Sequence, residues 1–245
     1  FATQLVAPVT NQIASAQGPD HMKKKLKFAA AVAALAMSGT AIAGAPDGKI
    51  QVKALATLVA PDGKITSVEL DNIGLPAGTQ TEADDNFVPT IAAEYFFTPN
   101  ISLETICCVT QHDVTGTGPL DGAGLVSNAN IIPATLTAKY HFGDGSGFKP
   151  YIGAGPTYFI FIDEKAGDTA QALGATRQKM NDKVGFALQA GFDLPINDNG
   201  LGLSVDAKRY FVNTTARWFA GNTEVLRTRH RIDPWVVSAG LAYRF

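Results

Sequence analysis

Eight charged side chains sit where an apolar strand would least tolerate them. Lys53, Glu94, Glu104, Lys139, Asp193, Asp206, Lys208 and Arg244 each share an alternating register with small or polar neighbours, inside segments whose other register is apolar. Four acids and four bases in one confined space are costly when unpaired, so opposite signs are expected to meet. That pattern predicts a bracing charge plug in preference to a proton relay or an enzyme site. Catalysis has little else to draw on. After residue 43 the histidines are His112, His141 and His230, no serine carries an activating motif, and His112-Asp113 reads as a loop-base hydrogen bond. Cys107 and Cys108 are adjacent, which gives neither a disulfide framework nor spaced zinc ligands. Neighbours on a strand point to opposite faces, so these thiols are not expected to pair. No metal or nucleotide motif appears, and no cofactor is expected.

The averages describe no particular class. Of 245 residues 46% are apolar and 17% charged, the formal net charge is -2, and the mean hydropathy is near zero. This excludes a disordered chain and a collagen-like repeat, and it gives no basic surface for nucleic acid. The picture changes when the chain is divided. Met22-Lys23-Lys24-Lys25-Leu26-Lys27, the apolar run Phe28 to Met37 and the end Ala41-Ile42-Ala43 form a secretory signal pattern over 22–43. Residues 1–21 carry no pattern and read as an upstream, non-native extension. Without four lysines and one aspartate of 1–43, residues 44–245 hold 16 basic and 21 acidic residues, net -5. No later segment has the roughly 18 continuous apolar residues of a membrane helix. Entry into a membrane therefore requires a closed β-barrel, the other arrangement that satisfies every backbone group in lipid.

Period-two alternation predicts eight strands, at Ile50 to Val59, Phe87 to Phe97, Ile101 to Thr110, Ile132 to Phe142, Lys149 to Ile162, Lys183 to Leu194, Leu201 to Val212 and Pro234 to Phe245. About ten residues tilted near 45° cover the apolar band of an outer membrane. Links alternate in length. Thr98-Pro99-Asn100, Gly143 to Gly147 and Asn197 to Gly200 are short and rich in turn formers; 61–86, 111–130, 163–182 and 213–233 are long and polar. Short periplasmic turns and four long extracellular loops around an even number of antiparallel strands describe an outer-membrane barrel, with both termini periplasmic. In the last strand Trp235, Val237, Ala239, Leu241, Tyr243 and Phe245 oppose Val236, Ser238, Gly240, Ala242 and Arg244. Bulk on one face and small or polar residues on the other put the apolar side outward around a narrow lumen, the reverse of a lipocalin-like soluble barrel. Tyr95, Phe97, Tyr140, Phe142, Phe192, Tyr243 and Phe245 form one expected aromatic belt; Tyr158, Phe186, Phe211 and Trp235 form the other.

Several blocks carry a family resemblance. They are Ile132-Pro133-Ala134-Thr135-Leu136-Thr137-Ala138-Lys139-Tyr140-His141-Phe142, then Lys149-Pro150-Tyr151-Ile152-Gly153-Ala154-Gly155, Ala187 to Asp193, Asp206-Ala207-Lys208, and the end Gly240-Leu241-Ala242-Tyr243-Arg244-Phe245. In order and spacing they resemble the outer membrane protein W (OmpW) family, including its AlkL-like proteins of alkane uptake. The resemblance implies a monomeric eight-stranded barrel with a narrow apolar pathway for small hydrophobic molecules. Arg209, Pro156 and the Cys107-Cys108 pair depart from the family pattern; Pro156 is expected to interrupt the fifth strand, and Arg209 to face outward and reach toward lipopolysaccharide phosphates.

The expected mechanism has two parts. An upper chamber lined by Leu55, Thr57, Val59, Ile106, Cys108, Phe159, Val212 and Val236 takes a small hydrophobic solute, and the charge plug below blocks straight passage; the competing reading is that these residues only fill the lumen and that the strand prolines mark bulges. The solute then leaves sideways, where Pro89, Pro133 and Pro156 lack the N–H that closes a ladder bond. The expected partners are outer-membrane lipids, lipopolysaccharide, the solute and the barrel assembly machinery, the last through the C-terminal aromatic. The competing class is a structural or adhesive barrel whose long loops, with Trp218 and Phe219, bind host, phage or neighbouring surfaces. A membrane-embedded hydrolase or acyltransferase would need a nucleophile, base and acid together at the outer rim, and none is evident.

Overall fold

A strand with bulky apolar residues on one register and small or polar ones on the other must separate two environments, and eight such strands can do so by closing on themselves. The computed structural model describes residues 44–45, 47–143, 147–162 and 165–245. The extension and export signal expected over 1–43, and the Cys107 side chain, lie outside the described residues. The strands are β1 Ile50–Ala60, β2 Lys64–Asp71, β3 Gln80–Ala83, β4 Asn86–Phe96, β5 Ile101–Cys107, β6 Thr110–Thr117, β7 Gly124–His141, β8 Lys149–Ile162, β9 Lys165–Ala166, β10 Arg177–Met180, β11 Lys183–Pro195, β12 Leu201–Phe211, β13 Asn213–Ala220, β14 Thr223–Arg231 and β15 Trp235–Arg244. A short helix, α1, spans Asp168–Ala172.

The barrel runs β1-β4-β5-β7-β8-β11-β12-β15, and β15 returns to β1, every pairing antiparallel. Full closure removes the edges that lipid cannot satisfy. These eight strands fall on the eight expected segments. Outward Leu188, Val237 and Leu241 remain 47%, 46% and 51% exposed, and an apolar surface running around the whole barrel is one that a bilayer covers. At one end Tyr95 meets Phe97 and Tyr140 meets Phe142, each pair edge-on with centroids 5.1 Å apart. Phe87, Tyr158, Phe186, Phe211 and Trp235 stand exposed at the other. The periplasmic turns use local chemistry: Asn197 Oδ1 accepts from the N–H groups of Asn199 (3.0 Å) and Leu201 (3.1 Å), with Gly200 at φ 79°.

The long links are more ordered than their polarity suggests. β10-β13-β14-β2 form a four-stranded antiparallel sheet, β6 and the first half of β7 extend the wall, and β3 and β9 pair onto them. β14 shows why these segments read as loops: buried Leu226, Thr228 and His230 alternate with Arg227, Arg229 and Arg231, so the inward register is mostly polar. Trp218 and Phe219, expected at an exposed loop surface, are buried at 7% and 9%. Trp218 packs with Val126, Ala129, Ala166, Ala170 and Leu226 in a separate extracellular core. Pro156 does not interrupt its strand; β8 continues through it and holds it opposite Phe186. Arg209 has intramolecular partners, the Asp233 carbonyl and the Trp235 ring, where outward reach toward phosphate was expected.

Candidate functional site

The inward register builds a polar floor across the lumen. Glu104 is its hub, with the ammonium groups of Lys53, Lys139 and Lys208 at 3.0, 3.0 and 3.1 Å. Glu94 takes Lys53 and Lys139 at 2.9 Å each and His141 Nε2 at 2.8 Å. Asp206 pairs with Lys208, and Asp193 lies 3.5 Å from Lys53 and accepts from Gln51 (3.1 Å). All these side chains are buried. Gln189 donates to Glu104 (2.8 Å) and Asp206 (2.6 Å) and accepts from Thr137 (2.7 Å). Lys139 also lies over the Tyr151 ring at 3.6 Å. With Tyr151 on β8, the cluster draws on every barrel strand from β1 through β12. Dense pairing of this kind satisfies charges that burial would otherwise penalise. Arg244 is the exception to the expected pairing. Its Nε donates to the Gly48 carbonyl (2.6 Å) and its guanidinium covers Phe96 at 3.7 Å; among the described residues it meets no carboxylate at ion-pair distance.

Above the floor the same register turns apolar. Leu55, Ala92 and Ile106 form a first cluster, and Val59, Cys108, Phe159, Val212 and Val236 belong to a larger one with Ile131, Tyr210 and Ile232. Of the eight residues expected to line a chamber, Val59, Ile106, Cys108, Phe159 and Val236 border one small apolar cavity. Leu55 and Val212 are packed away from it, and Thr57 hydrogen-bonds Ser238 at 2.8 Å. A second space, at the periplasmic mouth near Arg244, has no lining residue in common with it. Tyr210, fully buried and edge-on to Phe159 at 5.5 Å, and His112 and Pro133 also line the chamber. Tyr210 was visible by alternation, two residues beyond Lys208; His112 was not, because it belongs to a segment read as loop.

Strand pairing beside this chamber is interrupted. The β4–β5 ladder ends at Ile91 opposite Cys107, and the β5–β7 ladder ends at Ile106 opposite Thr135, resuming in the same register at Thr110 opposite Ile131. Cys108 and Val109 belong to neither β5 nor β6. Continued through the gap, the registers set Pro89 across from Val109 and Pro133 across from Cys108. Higher up, Asn86 Nδ2 donates to the Gln111 carbonyl (2.6 Å) and the Asp84 N–H to the Asp113 carbonyl (3.1 Å), so the gap is bounded. Pro156 is elsewhere: it faces outward, and the β7–β8 ladder is unpaired only at Leu136 and Thr137 opposite it.

Two more apolar spaces continue outward. One shares Pro61, His112, Ile131 and Ile232 with the chamber; the next shares Thr81, Leu125, Trp218 and His230 with that one. Both imidazoles are hydrogen-bonded. His112 meets the Asp84 carbonyl (2.6 Å) and Thr110 (2.8 Å), and His230 meets the Gly63 carbonyl (3.2 Å) and Thr228 (2.7 Å). Burial in the extracellular sheets lowers both pKa values, so both rings are held neutral.

A family model described as the OmpW family matches residues 46–245. An outer-membrane protein of Sinorhizobium fredii, y4mB, is 32% identical over 228 residues, covering 89% of this chain and 92% of its own. Outer membrane protein W of Vibrio cholerae is 34% identical over 156 residues, 62% of this chain and 70% of its own. Among solved structures, the outer membrane protein OprG of Pseudomonas aeruginosa superposes with a TM-score of 0.71 at 27% identity, covering 82% of this chain and 98% of OprG. AlkL in lipid bilayers shares the fold, with a TM-score of 0.63 at 22% identity over 84% of this chain and 94% of AlkL. By sequence and by fold, this chain belongs to the OmpW family of outer-membrane proteins.

Proposed function

We propose that the barrel admits small hydrophobic molecules from outside the cell, holds them in the apolar chamber, and releases them sideways into the membrane. The observation that carries this reading is a chamber closed below by the Glu104 network and interrupted at the side between Pro89 and Pro133. A solute resting on a floor of ion pairs has no reason to desolvate those charges, whereas the lipid beyond the wall is as apolar as the chamber. Pro89 and Pro133 bring no N–H to the gap, which limits the hydrogen bonds that an opening must break. Pro156 is no part of this exit. The protein acts as a monomer without catalytic chemistry, its C-terminal Phe245 serves recognition by the assembly machinery, and lipopolysaccharide surrounds the extracellular sheets. An adhesive function has less support, because Trp218 and Phe219 are used internally.

The test is uptake of a radiolabelled n-alkane by proteoliposomes. Val236→Asp puts a carboxylate into the chamber wall and is expected to lower uptake about tenfold or more, with Phe159→Asp, at another lining position, following it. Unchanged uptake by variants that retain the β-barrel circular dichroism signal overturns the reading.

A further inference from the structure

Gln178 is 2% exposed, and among the described residues neither its side-chain oxygen nor its nitrogen has a hydrogen-bond partner. It lies on β10 between exposed Arg177 and Lys179, so alternation turns it inward, and its cross-strand neighbour is Trp218. There it borders the middle apolar space together with Val126, Ile131, Met180 and Trp218. A buried amide without partners is a cost that an apolar residue of similar shape would avoid. The other polar groups around this space are already used. His112 and His230 have both ring nitrogens engaged, and the Thr81 hydroxyl donates to the Gly63 carbonyl. No Lys, Arg, Asp or Glu lines it among the described residues. The space thus offers one donor and one acceptor, side by side and uncharged, in apolar surroundings.

We propose that Gln178 is a head-group site for neutral amphiphiles, molecules with an apolar chain and one uncharged group that both donates and accepts a hydrogen bond. A primary amide or an un-ionised carboxylic acid matches both amide atoms at once; an alcohol matches them one at a time. A carboxylate finds no cation here and is disfavoured. The site rests on the uptake reading above and narrows its substrate class, since a pure alkane leaves Gln178 as it is. Its position above the chamber makes it a selecting contact on the way in.

The test uses the full chain in phospholipid nanodiscs. Trp218 and Trp235 are the two tryptophans, so a Trp235→Phe background leaves Trp218 as the reporter. Octanamide, N,N-dimethyloctanamide and n-octane are titrated, with partitioning corrected on empty nanodiscs. Octanamide is expected to bind more tightly than its dimethyl analogue, which has no donor. Gln178→Met is expected to weaken octanamide about five- to tenfold, the effect of one or two neutral hydrogen bonds, and to leave n-octane unchanged. Equal binding of the two amides overturns the proposal without any Gln178 variant. So does a Gln178→Met protein that keeps its octanamide affinity, or that loses octanamide and n-octane alike. Absence of n-octane binding, together with unchanged alkane uptake in Val236→Asp, counts against the uptake reading alone, and an octanamide preference that depends on Gln178 would stand without it.

Discussion

Pro89 and Pro133 stand on opposite sides of one interruption in the barrel wall, Pro89 across from Val109 on the β4 side and Pro133 across from Cys108 on the β7 side. Neither residue has an N–H to give to that segment. Pro133 faces inward and lines the chamber, whereas Pro89 shares the outward register with Phe87 and Ile91.

Restoring N–H groups at this gap is expected to close it. Pro89→Val and Pro133→Val each supply one donor; a ladder bond contributes about 1 kcal/mol, which favours the closed wall about fivefold. Alkane uptake by proteoliposomes should fall accordingly, and the Val109 amide should exchange more slowly. Pro156→Val, away from the chamber, should leave uptake unchanged; an equal effect there would remove the reason for placing the exit between Pro89 and Pro133.

Glu104→Gln should be severely destabilising. The substitution leaves the Lys53, Lys139 and Lys208 ammonium groups short of a carboxylate in a closed lumen. Removing one partner of a buried ionic cluster costs about 3–5 kcal/mol, readable as a lower urea midpoint for the protein folded into lipid vesicles. Glu224→Gln is the contrast. Hydrogen bonds from Arg227 and Arg217 hold that carboxyl down to about 2, but on the solvated face of the extracellular sheet. Water screens such pairs, so its midpoint should barely move.

Acid should loosen the extracellular sheet before the barrel. Burial lowers the His230 pKa, and its neighbours are the Gly63 carbonyl and the hydroxyls of Thr81 and Thr228, with no carboxylate among the described residues to favour a proton. An unfolded imidazole binds its proton near pH 6.5 and the folded one only at lower pH. Stability is therefore retained above about pH 6.5 and lost as pH falls below it. Amide protection factors in β13 and β14, corrected for intrinsic exchange, should fall as pH drops from 7 to 5, and His230→Gln should flatten that dependence. His112 is a less direct probe because burial raises the pKa of neighbouring Asp84, which opposes the imidazole's effect.

Alternation by itself determined the barrel. A strand between lipid and lumen must carry opposite chemistry on successive residues, so Trp235 to Phe245 reveals its faces without any partner in view. The same rule placed Lys53, Glu94, Glu104, Lys139, Asp193, Asp206 and Lys208 indoors, because their positions modulo two are a local property. It could not say which lysine meets which acid, nor that Arg244 covers Phe96, because strand register and stagger around a closed sheet are set by neighbours distant in sequence. Nor could it find the sheet formed by β2, β10, β13 and β14. Its inward residues include Thr228, His230 and Gln178, which become interior only when another sheet covers them. The gap at Cys108 and Val109 is likewise tertiary: three prolines were legible, but only pairing with both neighbouring strands decided that Pro89 and Pro133 share one opening and Pro156 does not.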